Sequence, residues 1–144
     1  MSVLSRVYDM ADTFQLEVAT PEQLLIDEQV TEVQLPGKGG YMGILAGHAP
    51  LLSELGAGLL TYEGGSGSGR PLVIDGGFVE VFENHVRVLA DSAEYASEIS
   101  REEAQRDLDK ANEDLKKAQS ESETEAAMGL LERAQAHLDA SSNS

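Results

Sequence analysis

The sequence predicts an all-β N-terminal domain, a sandwich or flattened barrel of about eight to ten strands, followed by a C-terminal antiparallel hairpin of two helices. Nearly all the glycines and all four prolines precede residue 92, where they separate short β-branched runs. Beyond it the chain is rich in alanine, leucine, glutamate and lysine, and contains a single glycine. We expect a flexible leader over residues 1–12, a β domain over 13–92 and a helical arm over 93–144.

The strands are predicted from alternation and from turn residues. Phe14, Leu16 and Val18 alternate with polar neighbours, the period-two pattern of a half-buried strand. A longer run over 24–35 ends in a proline–glycine turn. Six further short runs follow, at residues 41–45, 51–55, 58–63, 71–75, 78–83 and 85–90. The glycine–serine stretch at 64–69 is expected to be a hairpin tip.

Two apolar stripes at helical spacing predict the hairpin of the arm. The first comprises Ala104, Leu108, Ala111, Leu115 and Ala118, and the second Ala127, Leu131, Ala134 and Leu138. Ser100 with Glu103, and Ser122 with Glu125, have capping-box spacing at the two helix starts. Because the stripes are mostly alanine, they bury little area. Two interpretations stay open: a hairpin packed permanently on the β domain, or an arm that either docks or extends.

Charge and composition exclude several classes of function. The chain has 26 acidic and 10 basic residues, a formal net charge of −16, which disfavours nucleic acid and anionic membrane surfaces as partners. No apolar run approaches the roughly 20 residues of a membrane span, so we expect no direct membrane insertion. There is no cysteine, and the histidines at 48, 85 and 137 have no partner at ligand spacing. No metal site is expected.

The glycine-rich stretch LPGKGGYMGILAGHAPLL, residues 35–52, has the glycine content of a phosphate-binding loop. A P-loop needs a hydroxyl residue after its lysine, but Lys38 is followed by glycine. The dinucleotide fingerprint is met by Gly37 and Gly39, whereas Met42 stands in place of its third glycine. No other stretch contains a catalytic set, and therefore we expect no enzyme activity and no cofactor.

Two blocks carry a resemblance to a known family. Residues 35–52 and IDGGFVEVFENHVRVLAD, residues 74–91, closely resemble the epsilon subunit of bacterial and chloroplast F-type ATP synthases, and the resemblance extends over residues 13–140. It implies a non-catalytic rotor subunit of the central stalk that couples proton-driven rotation of the c-ring to ATP synthesis. The β domain would bind the gamma subunit and the c-ring, peripherally, at the cytoplasmic face of the bacterial plasma membrane.

The resemblance also implies contact residues. The segment that would meet the c-ring is Gly37, Lys38, Gly39, Gly40, Tyr41, Met42 and Gly43, and His48 would lie near gamma. The arm would reach the alpha and beta subunits of the catalytic head and inhibit ATP hydrolysis. Its cations are candidates for that contact: Arg101, Arg106, Lys110, Lys116, Lys117 and Arg133.

Some members of that family bind ATP through the arm, and Glu94, Ile99, Ala104 and Arg133 match their motifs. Two motif positions differ, because Ser100 replaces an aspartate and Glu103 replaces an arginine. A carboxylate in place of a cation should repel a triphosphate. Two alternatives to the rotor subunit stay open: a freestanding β-sandwich protein-interaction module, and a small sugar- or nucleotide-binding β domain.

Overall fold

The computed structural model describes residues 13–65 and 70–142. The expected leader over 1–12 and most of the glycine–serine tip, residues 66–69, lie outside this part of the chain. The described residues form eight strands: β1 Phe14–Ala19, β2 Leu24–Val30, β3 Glu32–Gly37, β4 Gly40–Leu45, β5 Leu51–Glu54, β6 Ala57–Glu63, β7 Leu72–Phe82 and β8 His85–Tyr95. A 3₁₀ turn, Ala96–Glu98, leads to α1, Arg101–Lys117, and α2, Glu121–Ser142. The predicted fold class is confirmed.

The strands pair in the order β2-β1-β8-β7-β6-β3-β4, and β5 pairs with β7. All neighbours are antiparallel except β1 and β8. Residues 57–60 of β6 pair with β7, whereas residues 61–63 pair with β3. Because β6 passes from one sheet to the other, the two layers fold over a common core.

The core lies between these layers. Phe14, Leu16 and Val18 are at most 1% exposed, which confirms the alternation predicted for the first strand. Inward residues from β3 to β8 complete one apolar cluster, among them Val33, Leu35, Ile44, Leu60, Ile74, Val79 and Val88. The β domain therefore has a core that does not depend on the helices.

Two strand predictions were wrong. The runs at 71–75 and 78–83 are one strand, β7, because Gly76 and Gly77 bend it without ending it, at φ 72° and 112°. A Cβ on Gly77 would collide with the carbonyl oxygen of Leu89 on β8, which requires glycine there. The single run at 24–35 is two strands, broken at Thr31, whose N–H donates to the Glu63 carbonyl of β6.

The cap predicted for α1 is present, whereas the cap predicted for α2 was wrong. The Glu103 N–H donates to Ser100 Oγ at 3.3 Å, as expected. α2 is capped by Ser120, not Ser122: the Glu123 N–H donates to Ser120 Oγ, and Glu123 Oε2 accepts from the Gln119 N–H. The same serine–glutamate spacing occurs two residues earlier in the chain, so the helix begins at that earlier box.

The helices form the predicted hairpin and lie against the β domain. α2 packs on β6, β7 and the 3₁₀ turn. The shared cluster consists of Val73 on β7, Ala96 in the turn, and Ala136 and Ala140 on α2. The arm is therefore docked in this structure.

Candidate functional site

The predicted c-ring segment forms a tight hairpin between β3 and β4. Gly37 pairs with Gly40, which has a φ of 137°. A Cβ on Gly37 would lie 2.7 Å from the Gly40 carbonyl oxygen, so the turn closes only with glycine there. Lys38 ties the turn to β5, since its backbone N–H donates to the Glu54 carbonyl and its Nζ lies 3.0 Å from Glu54 Oε2. The glycines thus shape a protruding turn with a fixed position.

The side chains of this segment point in different directions. Tyr41 is 66% exposed, and its hydroxyl oxygen accepts the Leu59 N–H of β6 at 2.9 Å. Met42 packs partly against the β-domain core. Lys38, Gly39 and Gly43 are exposed. Of the seven predicted contact residues, Met42 is thus turned toward the protein interior, whereas the side chains of Lys38 and Tyr41 are exposed.

His48 lies in the loop after β4, at the opposite end of that strand from the Gly37–Gly40 turn. Gly47 precedes it with a φ of 80°, and the Gly47 N–H donates to Asn84 Oδ1. The imidazole is exposed, and its Nδ1 lies 2.7 Å from the Ala49 carbonyl oxygen. The strand rise places the two loops roughly 17 Å apart. They therefore form separate surfaces.

Sequence reasoning missed an apolar surface on the outer face of the sheet. This outer apolar strip consists of four exposed side chains: Leu24 (57%), Leu52 (69%), Phe78 (51%) and Leu89 (53%). Phe78 pairs with Leu89, Leu89 with Ala19, and Ala19 with Leu24, so the row crosses four strands. Part of this surface could have been predicted from the sequence. The alternation of the run at 78–83 places Val79 and Val81 inward and Phe78 outward.

The residues of the predicted nucleotide motif do come together. Glu94, Ile99, Ala104 and Arg133 line one cavity of about 470 Å³ between the end of β8, the 3₁₀ turn and both helices. Its lining also contains Glu98, Glu103 and Asp107, which gives four carboxylates against the two permanent cations Lys110 and Arg133. Sequence reasoning had not placed Glu98 or Asp107 there.

Arg133 and His137, two basic side chains of this cavity, each lie close to a carboxylate, and carboxylates outnumber cations in the lining. Arg133 Nε lies 3.3 Å from Asp75 Oδ2 of β7, and His137 Nε2 lies 3.7 Å from Glu94 Oε2 of β8. The Ser100 Oγ is used as the helix cap. Because a triphosphate carries several negative charges, this cavity repels it more than it attracts it.

The remaining candidate cations lie on the surface of α1. Arg101, Arg106, Lys116 and Lys117 are all exposed. Lys116 and Lys117 occupy the last turn of α1, where cations stabilise the helix dipole whether or not a partner is present.

Over 13–65 and 70–142, no three histidine, aspartate or glutamate side chains are grouped so that they could hold a metal ion. No described helix combines the length and the apolar character needed to cross a bilayer.

Burial raises the pKa of Tyr62, and the nearby Glu28 raises it further, so this core phenol stays protonated near neutral pH.

Comparison with known proteins places this architecture in a family. The model described as "ATP synthase, Delta/Epsilon chain, beta-sandwich domain" matches residues 13–96. The ATP synthase epsilon chain of Solibacter usitatus is 49% identical over 129 residues, which span 90% of this chain and 96% of that protein. The epsilon chain of Syntrophomonas wolfei is 39% identical over the same length, spanning 90% of this chain and 94% of that one.

Solved structures agree with this assignment. A chain of the Euglena gracilis mitochondrial ATP synthase, OSCP/F1/c-ring in rotational state 1, superimposes with a TM-score of 0.78 at 26% identity, over 90% of this chain and 81% of that one. A chain of the central stalk and c-ring of the Tetrahymena thermophila enzyme gives a TM-score of 0.64 at 17% identity, over 88% and 94%, and supports the fold. By its β-sandwich, its helical hairpin and its identity along nearly the whole length of these relatives, the chain belongs to the ATP synthase epsilon-chain family.

Proposed function

We propose that this protein is a non-catalytic rotor subunit in the central stalk of an F-type ATP synthase, where it helps couple proton-driven c-ring rotation to ATP synthesis. The observation that carries the proposal is the outer apolar strip, an exposed surface of the kind that binds another protein. The cavity lined by the residues of the nucleotide motif is acidic and is therefore unsuited to ATP. The complex would hold the protein peripherally at the cytoplasmic face of the bacterial plasma membrane.

The outer apolar strip is the surface we assign to the gamma subunit. Isolated exposed apolar residues are ordinary, but Phe78, Leu89 and Leu24 lie in one row across neighbouring strands. Charged side chains border the row, among them Arg87, whose Nε lies 3.1 Å from Glu17 Oε2. An apolar centre with a charged border is the usual anatomy of a protein interface.

The Gly37–Gly43 turn is the surface we assign to the c-ring. Glycine lets backbone approach a partner closely, and Lys38 and Tyr41 supply exposed side chains beside it. The turn is braced by Glu54 and by the Tyr41–Leu59 hydrogen bond, so little order has to be gained on binding. His48, at the other end of β4, is assigned to the vicinity of gamma.

We assign the helical arm a regulatory role in which it leaves the β domain and extends toward the alpha and beta subunits, where it inhibits ATP hydrolysis. The small alanine contact with the β domain supports this assignment, because leaving it exposes little apolar surface. Its cations, Arg101, Arg106, Lys110, Lys116, Lys117 and Arg133, are the candidates for the new contact. The acidic lining of the cavity supports an arm that does not respond to ATP.

Co-purification tests the proposal. An affinity-tagged copy, expressed in its own organism and extracted in gentle detergent, should elute with gamma, the alpha and beta subunits and the c-ring. Recovery of the chain as a free monomer from the same extract would contradict a rotor subunit. It would favour the freestanding interaction module.

A further inference from the structure

We propose that His137 is the pH-sensitive element of a latch that holds the helical arm on the β domain. The inference goes beyond the proposed function, because docking of the arm is a property of the isolated chain and can be measured without the ATP synthase. Its effect on ATP hydrolysis would in addition require the regulatory role proposed above.

The apolar part of the junction between arm and β domain is small. On the arm side it is made of Ala136 and Ala140, and on the other side of Val73 and Ala96, and three apolar residues are partly buried against them: Ala57, Leu59 and Ile99. A buried methyl or methylene group contributes about 0.8 kcal/mol, so alanines give a weak contact for their number. Polar contacts across the junction therefore have a large relative effect on docking.

Among the described residues, ion pairs from Arg133 and His137 cross this junction, both from the same face of α2. Arg133 Nε lies 3.3 Å from Asp75 Oδ2 on β7, and His137 Nε2 lies 3.7 Å from Glu94 Oε2 on β8. An arginine stays charged at every physiological pH, whereas a histidine changes charge between about pH 5 and 8. At 3.7 Å the His137–Glu94 contact is too long for a hydrogen bond and depends on charge. The second pair exists only when the imidazole is protonated.

The groups around His137 are mostly acidic. Its side chain is 18% exposed and faces the 470 Å³ cavity. Three of the four elements around that cavity contribute acid: Glu94 from β8, Glu98 from the 3₁₀ turn, and Glu103 and Asp107 from α1. The opposing cations are Lys110 on α1 and Arg133 on α2. Carboxylates exceed permanent cations by two, so a proton on His137 lowers the repulsion across the junction.

The direction of the pH effect follows from this charge balance. The docked arm places the imidazolium beside Glu94, and the undocked arm leaves it in water, so protons are bound more favourably when the arm is docked. The His137–Glu94 pair therefore contributes to docking while the imidazole carries its proton, and this contribution is lost when the proton leaves. Acid conditions hold the arm down, and alkaline conditions loosen it.

The absence of native cysteine makes docking measurable by thiol labelling. Ala140 on α2 is fully buried against the β domain, and a cysteine in its place reacts only when the arm opens. Met128 is exposed on the same helix, and a cysteine there gives the reference rate that corrects for thiolate formation at each pH. The measured quantity is the labelling rate of A140C divided by that of M128C, from pH 5.5 to 8.

The ratio should rise about two- to fivefold over this range, the factor corresponding to one partly exposed ion pair. With His137→Gln, and separately with Glu94→Gln, the ratio should stay constant. His137→Arg should keep the ratio at its low-pH value at every pH. The matched control is His48→Gln, which removes an exposed loop imidazole and should leave the rise intact.

A rise that survives His137→Gln would overturn the proposal, and so would a ratio that does not change with pH in the otherwise wild-type chain. Should His137→Gln fail to fold, Glu94→Gln at an exposed carboxylate provides the same test. Loss of the pH response with an intact β domain, checked by circular dichroism, would support the latch even if the chain proved not to bind gamma. The outcomes for the latch and for the rotor assignment are thus separable.

Discussion

Removing the outer apolar strip should weaken binding to gamma without unfolding the β domain. Burial of a whole phenylalanine or leucine side chain contributes about 1.5–3 kcal/mol. Phe78 and Leu89 are already about half buried, at 51% and 53% exposure, so a partner would bury the other half. Each truncation to alanine should therefore cost about 0.8–1.5 kcal/mol, or roughly four- to thirteenfold in Kd.

The assay is titration of purified gamma with Phe78→Ala, with Leu89→Ala and with the double variant, by calorimetry. The two residues face each other across β7 and β8, so their effects need not be additive; additivity would give about 15- to 150-fold. Met128→Ala is the matched control, because Met128 is 42% exposed on α2 and lies in the arm, whose removal should leave gamma binding intact. A double variant that binds gamma within twofold of the wild type, with an unchanged thermal midpoint, would refute the assignment of this surface.

Three further predictions concern the fold, the cavity and the arm. Gly77→Ala should destabilise the protein by at least about 2 kcal/mol in chemical denaturation, because a Cβ at φ 112° collides with β8, whereas Gly129→Ala in open space on α2 should be neutral or slightly stabilising. Isothermal titration with MgATP should show no binding below millimolar concentration, and Glu103→Arg should strengthen any binding; micromolar affinity in the wild type would contradict the repulsion argued for the cavity. Truncation after Ala96 should leave gamma binding intact and raise ATP hydrolysis by the assembled enzyme under inhibiting conditions, and unchanged hydrolysis would show that the arm is not a brake.

The local features of the fold were accessible from the sequence because they depend on near neighbours. The alternation at Phe14–Val18 and the cap at Ser100 need only a few residues to be recognised, and both are present. The glycine pair at 76–77 was misinterpreted as a strand break, since a glycine pair gives the same local signal whether the backbone ends or bends. Only the pairing partner, β8, decides between these outcomes.

The sites were harder to predict than the strands for a related reason. The cavity brings together residues from β8, a 3₁₀ turn and two helices, so Glu98 and Asp107 enter it through the crossing of the hairpin over the β domain. No spacing rule in one sequence encodes that crossing. The outer apolar strip likewise arises from register across four strands, although each of its residues was visible at an outward position.

The contrast between the two parts of the chain supports a movable arm on a rigid β domain. The β domain buries Phe14, Leu16, Leu35 and their neighbours in one continuous cluster, so opening it would expose many large side chains. At the junction with the arm, alanines meet, and Ile99 at their edge also lines the 470 Å³ cavity. An element that leaves such a junction loses few dispersion contacts, and charged pairs then decide its position. The ion pairs at Arg133 and His137 are consequently the contacts through which changes in salt should act first on the docking of the arm.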